Sequence, residues 1–556
     1  MTRYARRYSF AAPSDRSKSP PPPYSTRPPS IYSRLNEQTP LIVHVKRSEP
    51  ASYQPYWPIS ECLLILLIIS ICVTVFFFLY RTLSGYVPTI PVLPRTYSVA
   101  IVGAGPAGIS ALQHLYLESR NRNIHLNITL FEASPLIGGQ LALNDSTGGP
   151  VFPYNDPEQA PITAEDITGT ALVWSNPLFT KSSEEILGDK LAFSERPSQE
   201  VSYVFGSDIV SQNSRPYNKM SFFRWMGLIF HYGSSVWQAG ALVDQGTNIR
   251  FVDAPLTTDI MQLMINQDIV EPVQEFAQAG LDSRGIGGAY ETEILGPQVE
   301  RVHSQGIPNI NTLAMMLAAA QEDYANAYVG GELIDRLEQI VAATGVTVRT
   351  ATEVTGIKHE QINDHESAWL VQHGASGSPG LGAEPFHRVI LAAPNFDLYR
   401  ASSIDDVEAA SGLTYHPTYV TFFTLPQRLG EFGDVDQILF HEASGRYHAF
   451  REVRELAFVR EVIRVVDGHT VVEHLYRALS DNGVPQEIQD SIGVTWLHQV
   501  RLENAHPDLF PYRYFPPFRL SEKGLWWTSA IHAIASTVDM SWLAGKIVAE
   551  DVLKGL

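Results

Sequence analysis

Three glycines at a fixed spacing, Gly103, Gly105 and Gly108, stand directly after a short apolar run, Tyr97-Ser-Val-Ala-Ile-Val102. A Gly-x-Gly-x-x-Gly turn suits a backbone that must bend sharply and come close to a diphosphate. Gly103 allows the tight turn, Gly105 the close approach, and Gly108 the close packing of helix on strand. Pro106 and Ala107 lie in the same turn and complete the candidate cofactor-binding stretch. Ile109, Leu112 and Leu115 then recur at helical spacing. The helix they predict would turn free N–H groups and a partial positive charge toward the phosphates. A second apolar run, Asn127-Ile-Thr-Leu-Phe131, ends in Glu132, 24 residues beyond Gly108. That is near the ~20 expected of a carboxylate that holds ribose hydroxyls. Gly138, Gly139 and Gln140 follow within a few residues.

The elements needed to position these groups are a strand, a turn, a helix and a second strand, in that order. Further along, Val346-Thr-Val-Arg-Thr-Ala-Thr-Glu-Val-Thr-Gly-Ile357 alternates as strands do, followed by Trp369-Leu-Val371 and the buried-strand pattern Val389-Ile-Leu-Ala-Ala-Pro394. Near the C-terminus Gly524-Leu-Trp-Trp-Thr-Ser-Ala530 leads into Ser536-Thr-Val-Asp539-Met540-Ser541, with Leu543, Ile547 and Val548 at helical spacing. This order resembles that of FAD enzymes in which a closing strand, loop and helix set a second helix N-terminus against the flavin; Asp539 or Ser541 would cap that helix with or without a ligand. Asp539 and Met540 join the candidate binding set. No nucleophile–base pair stands out, and no catalytic residue is assigned.

With 556 residues the chain holds several folding units. Its formal charge of −19 argues against a partner that is a nucleic acid. Two cysteines, Cys62 and Cys72, exclude a disulfide framework or a zinc cluster, and no metal site is expected. Residues 1–57 carry nine basic and three acidic side chains and ten of the 37 prolines, so they read as a disordered basic tail. The tail's +6 leaves −25 on the remainder. Cys62–Tyr80 contains no charged residue, and its nineteen residues as a helix match the hydrocarbon thickness of a bilayer. The basic excess on its N-terminal side predicts a cytosolic tail and sends the domain to the lumen or outside, and the expected location is the lumen of the endomembrane system (endoplasmic reticulum, Golgi or vacuole). Sequons at Asn127 and Asn144 are compatible with that side and with a glycoprotein.

A Gly pair just after the ribose acid resembles the FAD enzymes of the glutathione-reductase-like and amine-oxidase-like superfamily. The closing block Trp527-Thr-Ser-Ala-Ile-His-Ala-Ile-Ala-Ser-Thr-Val-Asp-Met-Ser-Trp-Leu-Ala-Gly-Lys-Ile-Val-Ala549 resembles that of the prenylcysteine oxidase (prenylcysteine lyase) family. Tyr328-Val-Gly330-Gly331, and less sharply His231-Tyr-Gly233 and Gly169-Thr170 with Asn176, are similar to further blocks of it. The resemblance implies an α/β fold: a Rossmann-like FAD-binding domain of the glutathione-reductase/amine-oxidase type with an inserted α+β substrate domain, here preceded by one transmembrane helix. The expected division is tail 1–57, signal-anchor helix 58–81, linker 82–95, and FAD-binding domain 96–180. A mainly helical substrate domain spans 181–325, the FAD domain returns over 326–400, the substrate domain resumes over 401–510, and a C-terminal FAD-binding segment covers 511–556.

The resemblance also implies an activity. Family members use FAD and O2 to oxidise the thioether carbon of farnesyl- or geranylgeranyl-cysteine, giving a prenyl aldehyde, free cysteine and hydrogen peroxide, in the breakdown of prenylated proteins. The chain departs from the family at Gln140, where an Arg usually neutralises the diphosphate, and at Val173, where a His is usual. These departures keep open an amine- or polyene-oxidising enzyme on the same scaffold, or a flavin-binding membrane protein with little activity. A long apolar substrate calls for a greasy channel. Phe222, Phe223, Trp225, Leu228, Ile229, Phe230, Tyr232 and Trp237 form the densest aromatic cluster outside the span. The plainest reading is a core helix, the alternatives a channel wall or a lipid contact, with His231 structural.

Overall fold

The computed structural model describes residues 59–84, 96–142, 149–163, 166, 171–172, 178–189, 194–195, 198–247, 255–323, 327–328, 332–363, 366–376, 382–394 and 413–556. The basic tail, Gly169, Thr170, Val173, Asn176, Gly330, Gly331 and the Asn144 sequon lie outside the described residues. The chain divides into two units, Met1–Pro91 and Val92–Leu556.

The first unit contributes one helix, Ile59–Ser84. Its described apolar side chains, including Leu66, Ile69, Val73, Phe76, Phe77 and Phe78, are all exposed. The Thr74 hydroxyl donates to the Ser70 carbonyl at 2.7 Å, so it brings no unpaired polar group to that apolar surface. On its described side chains, which run unbroken only from Leu66 to Leu79, no helix among the described residues is long and apolar enough to cross a membrane.

The second unit is built on a six-stranded sheet ordered Arg519–Ser521, Leu525–Trp527, Arg388–Leu391, Thr96–Val102, His125–Phe131, Thr347–Arg349. All neighbours run parallel except the first pair. Helices cover such sheets, so the central strands are apolar on both sides. Val99, Ala100, Ile101, Val389, Ile390 and Leu391 are fully buried. On the sheet lie the helices Pro106–Asn121 and Val538–Lys554, which touch so closely that a Cβ on Gly545 would stand 2.3 Å from the Ala107 carbonyl oxygen. An antiparallel meander, Thr352–Asn363, Glu366–Ala375 and Gly382–Phe386, links the outer strand to the central one.

A second sheet of seven strands is assembled from two distant parts of the chain. Its order is Trp496–Pro507, Tyr415–Leu425, His469–Ser480, Val453–Val466, Gln437–His441, Gln199–Phe205, Asp208–Arg215. Helices from Phe222–Tyr232 to Thr312–Asp323 form a separate apolar core against it, with Leu242, Leu281, Ile294, Val299 and Met315 buried. Asn127, at the first sequon, is exposed at the start of its strand, whereas Thr129 is buried.

Candidate active site

The glycine turn is held open by contacts that no larger residue would permit. Gly103 has φ +105°, and a Cβ there would meet the Ala392 carbonyl oxygen at 2.9 Å. A Cβ on Gly108 would stand 1.9 Å from the Gly103 oxygen, so Gly108 serves helix–strand packing. Gly139, at φ +60°, faces Gly105 across the turn, and its Cβ would reach the Gly105 Cα at 3.1 Å. Two glycine loops thus leave a slot with backbone walls. The Pro106–Asn121 helix starts at that slot with no side-chain cap and no acid in its first turn. Its leading N–H groups and dipole are left for an anion.

Glu132 braces the slot. Its Oε2 accepts the Ala104 N–H at 2.7 Å and its Oε1 the Ser134 N–H at 2.8 Å. Each carboxylate oxygen can accept more than one hydrogen bond, and Glu132 lines the cavity, so hydroxyl donors there could still be received. Gln140 is exposed and lines the same space, but its Nε2 donates to the Asn504 carbonyl of the Trp496–Pro507 strand at 2.5 Å. Gln140 therefore ties the glycine loop to the second sheet.

At the other end of the slot, Thr537 caps the Val538–Lys554 helix by accepting the Met540 N–H at 3.1 Å. This corrects the expectation that Asp539 or Ser541 would be the cap. Asp539 instead accepts the Phe179 N–H at 3.3 Å. Burial raises its carboxyl from 3.8 to about 7, offset only in part by that hydrogen bond. Met540 is buried in the apolar core, 1% exposed, because one helical step turns it from the cavity toward the packed face. Its side chain does not line the cavity.

One cavity of about 660 Å³ joins these groups, within the usual size for a ligand site. Gly103, Gly105, Pro106, Ala107, Glu132, Gly139, Gln140 and Asp539 all line it; Gly108 does not. It continues past Ala393, Pro394 and Ser529 into the space between sheet and helices, walled by Thr418, Val420, Leu479, Leu502, Val302, Leu317 and Ala320. Most of this far wall carries no motif, since each strand or helix supplies one or two side chains. Only the Ala392–Pro394 end of the apolar run could have been found from sequence.

The far wall is electrically quiet. Burial lowers His532 to about 4, leaving a neutral imidazole whose Nδ1 lies 3.0 Å from the Tyr415 hydroxyl. Burial, then nearby Arg454, push His506 well below its ordinary value. Arg301 is the charged group at this end; burial disfavours its charge, but Glu322 and Glu455 outweigh that and hold the guanidinium protonated. Burial alone would raise Glu455, yet Arg301 and Arg477 hold it down to about 2. Among the described residues no cluster of His, Cys, Asp and Glu could hold a metal ion.

The slot, the braced carboxylate and the free helix terminus fit a dinucleotide, and the comparisons name its kind. An FAD-NAD(P)-binding profile matches residues 100–160, and a prenylcysteine lyase profile matches residues 219–554. No curated protein matches. A crystal structure of an Exiguobacterium sp. 255-15 protein assigned as a protoporphyrinogen oxidase aligns over 83% of this chain and 100% of its own, at 13% identity and a TM-score of 0.51. Putrescine oxidase bound to putrescine aligns over 83% of this chain and 100% of its own, at 14% identity and a TM-score of 0.50. A triple mutant of putrescine oxidase aligns over 83% and 99%, at 15% and 0.50. These likenesses speak for the fold. The cofactor is FAD, and the chain, an FAD-dependent oxidoreductase, belongs to the prenylcysteine lyase family.

Proposed function

We propose that the protein oxidises the thioether of S-prenylcysteine, farnesyl or geranylgeranyl, with O2 and water to a prenyl aldehyde, cysteine and hydrogen peroxide. The observation that carries this reading is the continuity of one cavity from the glycine slot to an apolar wall of Val302, Leu317, Ala320, Val420, Leu479 and Leu502. Bound FAD supplies the two-electron acceptor for a hydride from the carbon beside sulfur and passes the electrons to O2. Gly103, Gly105, Pro106, Ala107 and Gly139 would hold its diphosphate and Glu132 its ribose. Asp539, at the start of the last helix, would receive a hydroxyl of the chain between ribose and ring. The protein's own task is then positioning and exclusion of water. His532 and His506 are neutral there, and the charge of Arg301 at the same end is offset by Glu322 and Glu455.

The chain is further read as held in an endomembrane by the Ile59–Ser84 helix, with the tail cytosolic and the catalytic unit luminal. The uncharged run Cys62–Tyr80 and the nine basic residues before it support this. Anaerobic titration of the purified yellow protein with farnesylcysteine tests the chemistry. Bleaching of the flavin band with release of an equal amount of cysteine, then the same amount of peroxide on admitting air, is the expected result. Peroxide from amines alone would reject the thioether substrate.

A further inference from the structure

The Phe222–Tyr232 helix, FFRWMGLIFHY, contains no acid and divides its apolar residues between two environments. Leu228 and Tyr232 are buried in the helical core, whereas Phe222, Phe223 and Phe230 are 67%, 86% and 82% exposed. Trp237, 56% exposed at the start of the next helix, Ser235–Thr247, stacks edge-on with Trp225 at 4.8 Å. The one guanidinium of the first helix, on Arg224, is drawn toward the sheet by Glu200 and by the Ser214 hydroxyl at 2.7 Å. The phenyl rings are left as an apolar prow. None of them lines the cavity. Other large exposed apolar residues of this unit, such as Ile265, Ile362 and Tyr514, belong to separate elements.

We propose that this prow dips into the surface of a neutral lipid bilayer. Phe and Trp on one face of a short helix are the residues that seat a peripheral protein at the headgroup boundary. Two further observations select lipid over a protein partner. The uncharged run Cys62–Tyr80, read from composition as a membrane anchor, precedes the first strand, Thr96–Val102, by only fifteen residues in sequence. The second helix also runs from the prow to the cavity, with Trp237 at one end and Gly246, a cavity-lining residue, nine residues on, roughly 14 Å along the axis. A prenyl chain dissolved in the bilayer would enter along this helix, a consequence that rests on the substrate reading above. Because the chain beyond the tail carries −25, attachment draws on ring burial and gains nothing from anionic lipid.

The unit 92–556 contains every apolar core of the described chain, so it is suited to testing on its own. Flotation with phosphatidylcholine vesicles should carry it upward, with no strengthening on adding phosphatidylserine, and brominated lipid should quench its tryptophan emission. The double variant Phe223→Ser, Phe230→Ser should lose at least about tenfold in partitioning, given the apolar area removed. Its flavin content and turnover of detergent-dissolved farnesylcysteine should match the parent's. Equal flotation of parent and variant, or none by either, overturns the proposal. So does self-association of the parent that the variant abolishes, which would assign the face to a second copy. Flotation without thioether turnover would leave the lipid contact standing and remove the substrate reading alone.

Discussion

Glu132 Oε2 accepts the Ala104 N–H at 2.7 Å, so the acid that ends the second strand of the parallel sheet holds the turn that ends the first. One carboxylate thereby shapes the diphosphate slot and faces the place of the ribose. Replacing it by Ala removes both roles. Charged hydrogen bonds of this kind are worth about 1.5–3 kcal/mol each. Glu132→Ala should weaken FAD binding by roughly ten- to a hundredfold, read by flavin fluorescence titration of the apoprotein. Unchanged affinity would dismiss the ribose role.

Gly105 and Gly108 should fail in different ways. A Cβ on Gly105 would find its nearest protein atom at 3.7 Å, an ordinary contact, while intruding on the slot. Gly105→Ala should keep the apoprotein's melting temperature within a degree or two and lose most flavin. A Cβ on Gly108 would collide with the Gly103 oxygen at 1.9 Å. Gly108→Ala should lower the melting temperature of the apoprotein itself, by an amount typical of a core clash of about 1–3 kcal/mol.

Asp539 gives the apoprotein a pH dependence of definite sign. Its carboxyl titrates at about 7 when folded against 3.8 in the free chain. Between those values the folded state holds a proton that the unfolded state has released. Its contribution is therefore most favourable below 3.8, is lost as pH rises to about 7, and is constant above. The cavity admits water, which keeps the loss below the roughly 4 kcal/mol that the full shift would imply. Asp539→Asn should stabilise the apoprotein at pH 8 and match the parent near pH 4, measured by urea unfolding at both.

Glu455 has the opposite sign. Held down to about 2 by Arg301 and Arg477, it stabilises the fold above its unfolded value of 4.5, and that contribution is lost as pH falls toward 2. Glu455→Gln takes the only carboxylate partner of Arg477 described above and leaves Arg301 with Glu322 alone, and should cost about 3–5 kcal/mol in urea unfolding. A cost under 1 kcal/mol would mean that other partners carry those charges.

The half of the molecule that binds the cofactor was legible because its signals are local. Val99–Val102 reads as a buried strand, the three glycines follow at once, and Glu132 lies a fixed distance on. The seven-stranded sheet was not legible in the same way. Val201 pairs with Gln437, and Tyr415 with Pro507, so its register depends on contacts hundreds or scores of residues apart. Sequence adjacency has a related limit: Met540 follows Asp539 by a turn of about 100° on the helix, which places its side chain in the core. The aromatic helix is a core helix on one face only, since Leu228 and Tyr232 are buried while Phe223 and Phe230 face outward. The span and the luminal orientation remain readings of composition.

The Leu525–Trp527 strand pairs with Arg388–Leu391, and the Val538–Lys554 helix presses on the one that begins at Pro106. A ribosome making this chain therefore releases the first wall of the flavin pocket more than four hundred residues before the last. The complete pocket exists only once the Val538–Lys554 helix has been made, so a stop codon that removed this helix should leave a protein depleted of flavin.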